Sequence, residues 1–377
     1  MELLKFDILP QRKNRRRYRT KGSGKLKMRV GLDRRGFVEA VAAYAAMLAI
    51  PSNARTDAIG QPLLARLILD NDFAGDPDGL FQLAHHVLCN SVRIPLIVGS
   101  HLPAAFGSGH DAADSAIAAR DLLTVMGKAQ AFTVIAGSEA PIASRRTWKP
   151  GPATAAIVRE AMRDDAQEPL IYAAGAGLTE LALAWLAEPR IGKRIKLIWI
   201  GGTPHSDLGD QSPAPSGAEF NFSIDPIAAQ VIFNESDIEI WQVPSNAYAQ
   251  MLFGMGELEE LGASGPLGAY LKAKVDALPS MLAKIPGLPL PPVTDAYVLG
   301  DSPLVTLTAL VPPMQPDPTS SRFRSIPTPR LLDDGSYADK PSGRPMRVYT
   351  QIDAGMTLRD MSARFRRHTN LGASRLR

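Results

Sequence analysis

The sequence predicts an α/β fold, a single domain with a mainly parallel central sheet flanked by helices. Two observations predict it. From about Leu63 onward, short apolar runs alternate with helical patterns, and several of those runs end abruptly in acidic residues or glycine. Strand and helix alternating in this way make βαβ units. Right-handed crossovers then bring the C-terminal ends of the strands to one edge of the sheet, the edge where open α/β sheets hold ligands.

Strands are expected at 67–69, 95–98, 132–135, 170–173, 197–200 and 239–243, each a short run dominated by apolar residues. Helices are expected between them at 80–88, 112–126, 153–162, 178–186 and 226–234. Residues 277–294 and 311–346 are rich in proline and turn formers and are expected as surface loops rather than a second domain. No internal repeat or low-complexity tract interrupts the pattern. A chain of 377 residues can bury a substantial core in one large domain.

Charge narrows the function classes. Residues 1–35 hold 13 Lys and Arg against 3 Asp and Glu, so with a chain total of +4 the remainder is net −6. The basicity belongs to the N-terminus, and a nucleic-acid role for the folded body loses its support. A single cysteine, Cys89, excludes an internal disulfide and a thiolate metal cluster; it is expected as a small buried hydrophobe.

The N-terminus reads as an address. Arg34-Arg35 with Phe37, a weakly apolar run from Ala40 to Ile50 and Pro51-Ser52-Asn53-Ala54 resemble a twin-arginine export signal, with cleavage expected after Ala54. The apolar run falls well short of the roughly 20 residues that span a bilayer, so no stable membrane insertion is expected. An ordinary amphipathic helix is the competing interpretation. Residues 1–27 are too dense in positive charge for a signal, so Met28 is the expected start or those residues are a basic extension. This divides the chain into a signal region, 1–54, and a folded domain, 55–377, expected in the periplasm.

The first strand empties into Asp70-Asn71-Asp72-Phe73-Ala74-Gly75-Asp76-Pro77-Asp78-Gly79, four carboxylates within nine positions. Such acids repel one another unless neutralised, and a divalent cation such as Ca²⁺ or Mg²⁺ is the readiest partner for hard oxygen ligands. The same residues are also ordinary turn material. Later strand ends add to the first: Gly99-Ser100-His101, Gly175-Ala176-Gly177-Leu178-Thr179, Gly201-Gly202-Thr203 and Gly300-Asp301-Ser302-Pro303. Glu219 and Asn221 alternate with Phe220 and Phe222, which in extended backbone puts both polar groups on one side. Asp225 could cap the helix that follows.

In order and spacing, the Asp-x-Asp start, the Gly-Leu-Thr turn, the Gly-Gly strand end, Glu219-Phe220-Asn221-Phe222 and the late Asp301-Ser302-Pro303-Leu304 resemble the inosine-uridine-type nucleoside hydrolases. Gly177 to Ile191 is especially similar, and the resemblance covers roughly residues 63–310. It implies a Rossmann-related fold and calcium-dependent cleavage of a ribonucleoside, or related ribosyl compound, to free base and ribose. Asp72 matches the calcium ligand that also acts as general base, Thr179 the residue whose carbonyl binds calcium, and Asp301 the late ligand. Glu219 and Asn221 match residues that hold ribose hydroxyls, and Ser100 falls where an Asn usually faces the sugar. The family's members commonly form dimers or tetramers, so a homo-oligomer is implied.

Two features depart from the family pattern. Pro77 stands where the second of two adjacent aspartates belongs, so either Asp76 or Asp78 completes the calcium shell while the other meets the ribose; Asp78 is favoured as ligand and Asp76 as the ribose contact. Gly300 replaces a His placed to protonate the leaving base. His101, His110 and His205 are candidates for that work, against the plainer expectation of solvent-exposed loop residues. Two other functions compete: a haloacid-dehalogenase-like phosphatase with Asp70 as nucleophile and Asp72 as acid, and a ribosyl-binding protein on the same fold that has lost catalysis.

Overall fold

The computed structural model describes residues 63–374 apart from 209–216, 286, 289, 291 and 313–319. The proposed export signal therefore lies outside the described residues. Strand β1, Ala65–Asn71, is buried along its whole length. Its side chains alternate between two cores, Leu67 and Leu69 in one and Ile68 in the other, as a period of two dictates. A strand apolar on both faces belongs in the interior of a parallel sheet, and β1 sits there.

The chain then runs through α1 (Asp78–Val87), β2 (Val92–Gly99), α2 (Asp111–Val125), β3 (Val134–Ala136), α3 (Pro152–Ala161), β4 (Leu170–Ala174), α4 (Thr179–Ala187) and β5 (Ile195–Ile200). Two short helices follow, α5 (Phe220–Ile224) and α6 (Pro226–Gln230), and then β6 (Glu239–Val243). All six predicted strands and all five predicted helices form. The remainder comprises α7 (Ser245–Tyr248), β7 (Leu252–Gly254), α8 (Met255–Ala263), α9 (Pro266–Leu282), β8 (Ala296–Val298), α10 (Pro303–Thr308), β9 (Arg322–Pro327), β10 (Arg330–Leu331), β11 (Tyr337–Ala338), β12 (Pro345–Gln351) and α11 (Ala354–Ser374).

The eight-stranded sheet has the order β3-β2-β1-β4-β5-β6-β12-β9. Every pairing is parallel except the last, where β9 runs antiparallel to β12. Helices α1, α2, α8, α9 and α11 pack on the face that receives Leu67 and Leu69, whereas α3, α4 and α6 cover the face that receives Ile68. Two expected loops prove to be regular in part, while the described residues of 283–294 are turn and coil as expected. Residues 311–346 contain β9, β10, β11 and the start of β12, and the stretch from 277 begins inside α9. Strand β9 alternates no apolar face toward a core, being exposed at four of its six residues, so the hydrophobic pattern could not announce it.

One buried polar pair in α1 makes stability depend on pH. The His86 ring lies against Gln82 on one side, and its Nε2 is 2.9 Å from Thr308 Oγ1 on the other. Burial, then the neighbouring His85, pushes the His86 pKa down to about 3. The unfolded chain binds the proton near pH 6.5, so between those values the unfolded state holds more protons and stability rises with pH. The stabilisation is therefore present above about pH 6.5 and lost as pH falls toward 3. Urea midpoints followed from pH 7 to 4 should fall more steeply for the wild type than for His86→Met; parallel curves would contradict the assignment.

Candidate functional site

The C-terminal ends of β1, β2, β4 and β5 bring the predicted polar residues together. Asp70, fully buried, accepts hydrogen bonds from Ser100 Oγ and Tyr172 OH, and burial pushes its pKa up to about 7. Asn71 next to it acts as a two-ended clamp. Its Oδ1 accepts the Asp72 N–H at 2.9 Å, and its Nδ2 donates to Asp301 Oδ2 at 2.8 Å across 230 residues of sequence. The Asp301 N–H in turn donates to Asp78 Oδ2 at 3.1 Å. Asp72 is 7% and Asp301 3% exposed.

Burial first, and then the negative charges of Asp301 and Asp76, hold the carboxyls of Asp72 and Asp78 well above the ordinary carboxylate range. Asp301 is raised as well, chiefly by burial. Among the described residues, none of Asp72, Asp76, Asp78 and Asp301 makes an ion pair with a cationic side chain. Gly175, after β4, leaves the room that the cluster needs. A Cβ there would stand 2.8 Å from Asp301 Cγ and closer still to the Asn71 amide. Neighbouring carboxylates, buried at Asp72 and Asp301 and half-buried at Asp78, with no cationic partner among the described residues, are a donor type suited to a hard divalent cation, so the chemistry of the residues present fits a metal ion.

The opposite side of the site is lined with acceptors. Glu219 does not lie in extended strand, as the alternation suggested. It is the N-cap of α5, its Oε2 taking the Phe222 N–H at 3.0 Å and the Gly202 N–H at 2.7 Å. Asn221 lies within α5, and its Nδ2 donates to the carbonyls of Gly175 at 3.0 Å and Ile200 at 2.8 Å. Both amide hydrogens are thus spent on backbone, and Oδ1 is left to accept from a ligand hydroxyl. Glu219 Oε1 accepts from Tyr248 OH at 2.9 Å. Glutamate is not among the residues that ordinarily cap helices, so nothing local announced this cap. Asp225 caps α6 as expected, through the Ala228 N–H at 2.9 Å.

The two departures from the family pattern meet at one spot. Asp76 is exposed at the rim, where Tyr297 OH donates to it, while Asp78, the first residue of α1, turns its carboxyl onto Asp301. A Cβ at residue 300 would lie 3.2 Å from Asp78 Oδ2 and 3.4 Å from Tyr248 Cδ2. The carboxyl set back by Pro77 and the tyrosine ring together crowd the space that a histidine at 300 would need.

Ser100 directs its hydroxyl to Asp70 rather than into the open site. His110 is exposed at the start of α2, but His101 and His205 are buried, contrary to expectation. Gln242 Nε2 donates to the Gly201 carbonyl and toward Tyr337 OH, so its Oε1 is the atom that receives His205 Nε2–H at 2.9 Å. His205 also stacks on Tyr337 with centroids 4.0 Å apart, and burial lowers its pKa. A neutral ring with its N–H already committed is not a proton donor for a leaving group. Asp70 lacks the access a phosphatase nucleophile requires, being enclosed and hydrogen-bonded on both oxygens. Asn71, Tyr248 and Tyr297 were missed by sequence reasoning, since their partners lie far away along the chain.

Fold and side-chain geometry together define an open α/β protein with a carboxylate-rich cluster at the C-terminal edge of its sheet. The chain belongs to the inosine-uridine preferring nucleoside hydrolase family, whose sequence profile matches residues 68–371. It is 47% identical over 68 residues to the inosine-uridine preferring nucleoside hydrolase of Crithidia fasciculata, a match covering 18% of this chain and 19% of that one. It is 34% identical over 149 residues to the uridine nucleosidase of Saccharomyces cerevisiae, covering 32% and 42%. The chain thus spans less than half the length of these curated relatives. The solved structure of a purine-preferring ribonucleoside hydrolase from Gardnerella vaginalis is similar in fold, with a TM-score of 0.59 and 16% identity over 81% of this chain and 99% of that one. Among the described residues, no helix is long and apolar enough to cross a membrane.

Proposed function

We propose that this protein hydrolyses the N-glycosidic bond of a ribonucleoside or related ribosyl compound, releasing base and ribose, and that it does so with calcium. The observation that carries the reading is the meeting of buried Asp72 and Asp301 with Asp78 beside the acceptors Glu219 and Asn221. Calcium would be held by the carboxylates of Asp72, Asp78 and Asp301 and the carbonyl of Thr179, and when bound it supplies a Lewis-acidic centre that makes water a readier nucleophile. Asp72 takes the proton from the attacking water. Glu219, Asn221 and Asp76 accept from ribose hydroxyls and hold the ring as positive charge develops at its anomeric carbon. Interactions that strengthen as that charge grows accelerate the reaction. No side chain is assigned to protonate the departing base.

The test is release of reducing sugar from a panel of purine and pyrimidine nucleosides, with calcium supplied or chelated. Release that depends on calcium supports the reading. Binding of nucleoside without release of base would favour the non-catalytic alternative. Release undiminished by exhaustive chelation would remove calcium from the account. We further propose export by the twin-arginine route to the periplasm, tested by N-terminal sequencing of exported protein. A mature chain still carrying Arg34-Arg35 would refute it. Association into a dimer or tetramer is proposed with it, to be checked by sedimentation.

A further inference from the structure

Glu219 is joined to the acidic cluster by two routes. Tyr248, the last residue of α7, donates its phenol O–H to Glu219 Oε1 at 2.9 Å. The ring of that tyrosine lies against the cluster: a Cβ at residue 300 would stand 3.4 Å from Tyr248 Cδ2 and 3.2 Å from Asp78 Oδ2. By the second route, Asn221 donates to the Gly175 carbonyl at 3.0 Å, and a Cβ at Gly175 would stand 2.8 Å from Asp301 Cγ. Glu219 is buried and Tyr248 half-buried.

The donors around Glu219 are unevenly shared between its two oxygens. A carboxylate offers about four acceptor positions, two on each oxygen. Oε2 spends both on backbone, taking the Gly202 N–H at 2.7 Å and the Phe222 N–H at 3.0 Å. Those two bonds anchor the group at one oxygen and leave the presentation of the other unsettled. Oε1 receives the Tyr248 hydroxyl, which fills one of its positions and leaves one open. The phenol thereby selects the side from which a further hydroxyl can reach Oε1. Its own place is set by the contact of its ring at residue 300, beside Asp78.

We propose that Tyr248 is a positioning residue, turning the open side of Glu219 Oε1 toward one hydroxyl of the ribose. This rests on the role proposed above for Glu219 in holding the sugar. Loss of a hydrogen bond to a charged group corresponds to about 10- to 100-fold.

The experiment is steady-state hydrolysis of a ribonucleoside by the full chain in calcium, with the 2′-, 3′- and 5′-deoxy analogues assayed as competitive inhibitors. Tyr248→Phe, which keeps the ring and removes only the hydroxyl, lowers kcat/KM about 10- to 100-fold. Tyr248→Met, apolar and without a hydroxyl, does the same and carries the test if Tyr248→Phe fails to fold. In a Glu219→Ala background the same substitutions cost less than twofold, because the tyrosine acts through that carboxyl. The inhibition constants of two analogues rise severalfold in Tyr248→Phe. That of the third, which lacks the hydroxyl held by Glu219, stays at its wild-type value. A kcat/KM within twofold of wild type, an equal rise for all three analogues, or a full further loss in the Glu219→Ala background overturns the role of Tyr248 alone. A wild-type chain that cleaves no ribonucleoside overturns the proposed hydrolysis and this inference with it.

Discussion

Asp72→Ala should abolish hydrolysis, by about 10³-fold or more, without unfolding the protein. General bases contribute roughly 10² to 10⁴ in rate, and Asp72 is proposed to serve as ligand besides. The side chain stands among like charges in a buried place, with Asp301 and Asp76 the neighbours that raise its pKa most after burial. Removing it relieves repulsion. In chelator, the melting temperature of Asp72→Ala should therefore equal or exceed that of the wild type, while the rise in melting temperature on adding calcium disappears. This separates a functional carboxylate from a structural one. A variant that keeps full activity, or one that melts lower in chelator and still gains from calcium, would contradict the assignment.

Gly175→Ala should be nearly as damaging although it adds a single methyl group and removes no ligand. The new Cβ would lie 2.8 Å from Asp301 Cγ and would strike the Asn71 amide that orients Asp301. Neither neighbour is the free end of a flexible side chain, because Asn71 is bonded to Asp72 and Asp301 is bonded to Asp78. The carboxyl must turn away. Displacement of a positioned group by about 1 Å can cost on the order of 10²-fold in rate, so a fall of that size is expected, with weaker calcium binding by calorimetry. Gly256→Ala is the control, since a Cβ there meets nothing within 4 Å. Equal activity of Gly175→Ala and the control would show that the crowding is absorbed elsewhere.

The parallel half of the sheet was legible because burial on both faces leaves an unmistakable mark. Leu67-Ile68-Leu69 has no polar position to mistake for a loop, and its abrupt end in acids marked where the strand stops at the C-terminal edge of the sheet. The acids themselves could be picked out because several carboxylates next to apolar strands have few structural uses. What could not be read were pairings across long separations. Nothing local to Asn71 points to Asp301, and nothing in Ser100 announces that its hydroxyl is committed to Asp70. Glu219 was misplaced for a different reason: alternation of polar and aromatic residues over four positions suits a strand and a capped helix start equally, and the cap prevailed because the Gly202 and Phe222 N–H groups both needed an acceptor. Strand β9 escaped because four of its six residues are arginine, serine or proline.

That outermost strand bears on how copies of the chain could associate. At one side the sheet ends in β3, only three residues long, and at the other in β9, which carries Arg322 and Arg324 and closes on Pro327. Short, cationic or proline-terminated borders make poor templates for another backbone. Growth by continuous strand addition is thus blocked at both ends, and self-association, where it occurs, is left to the helical layers.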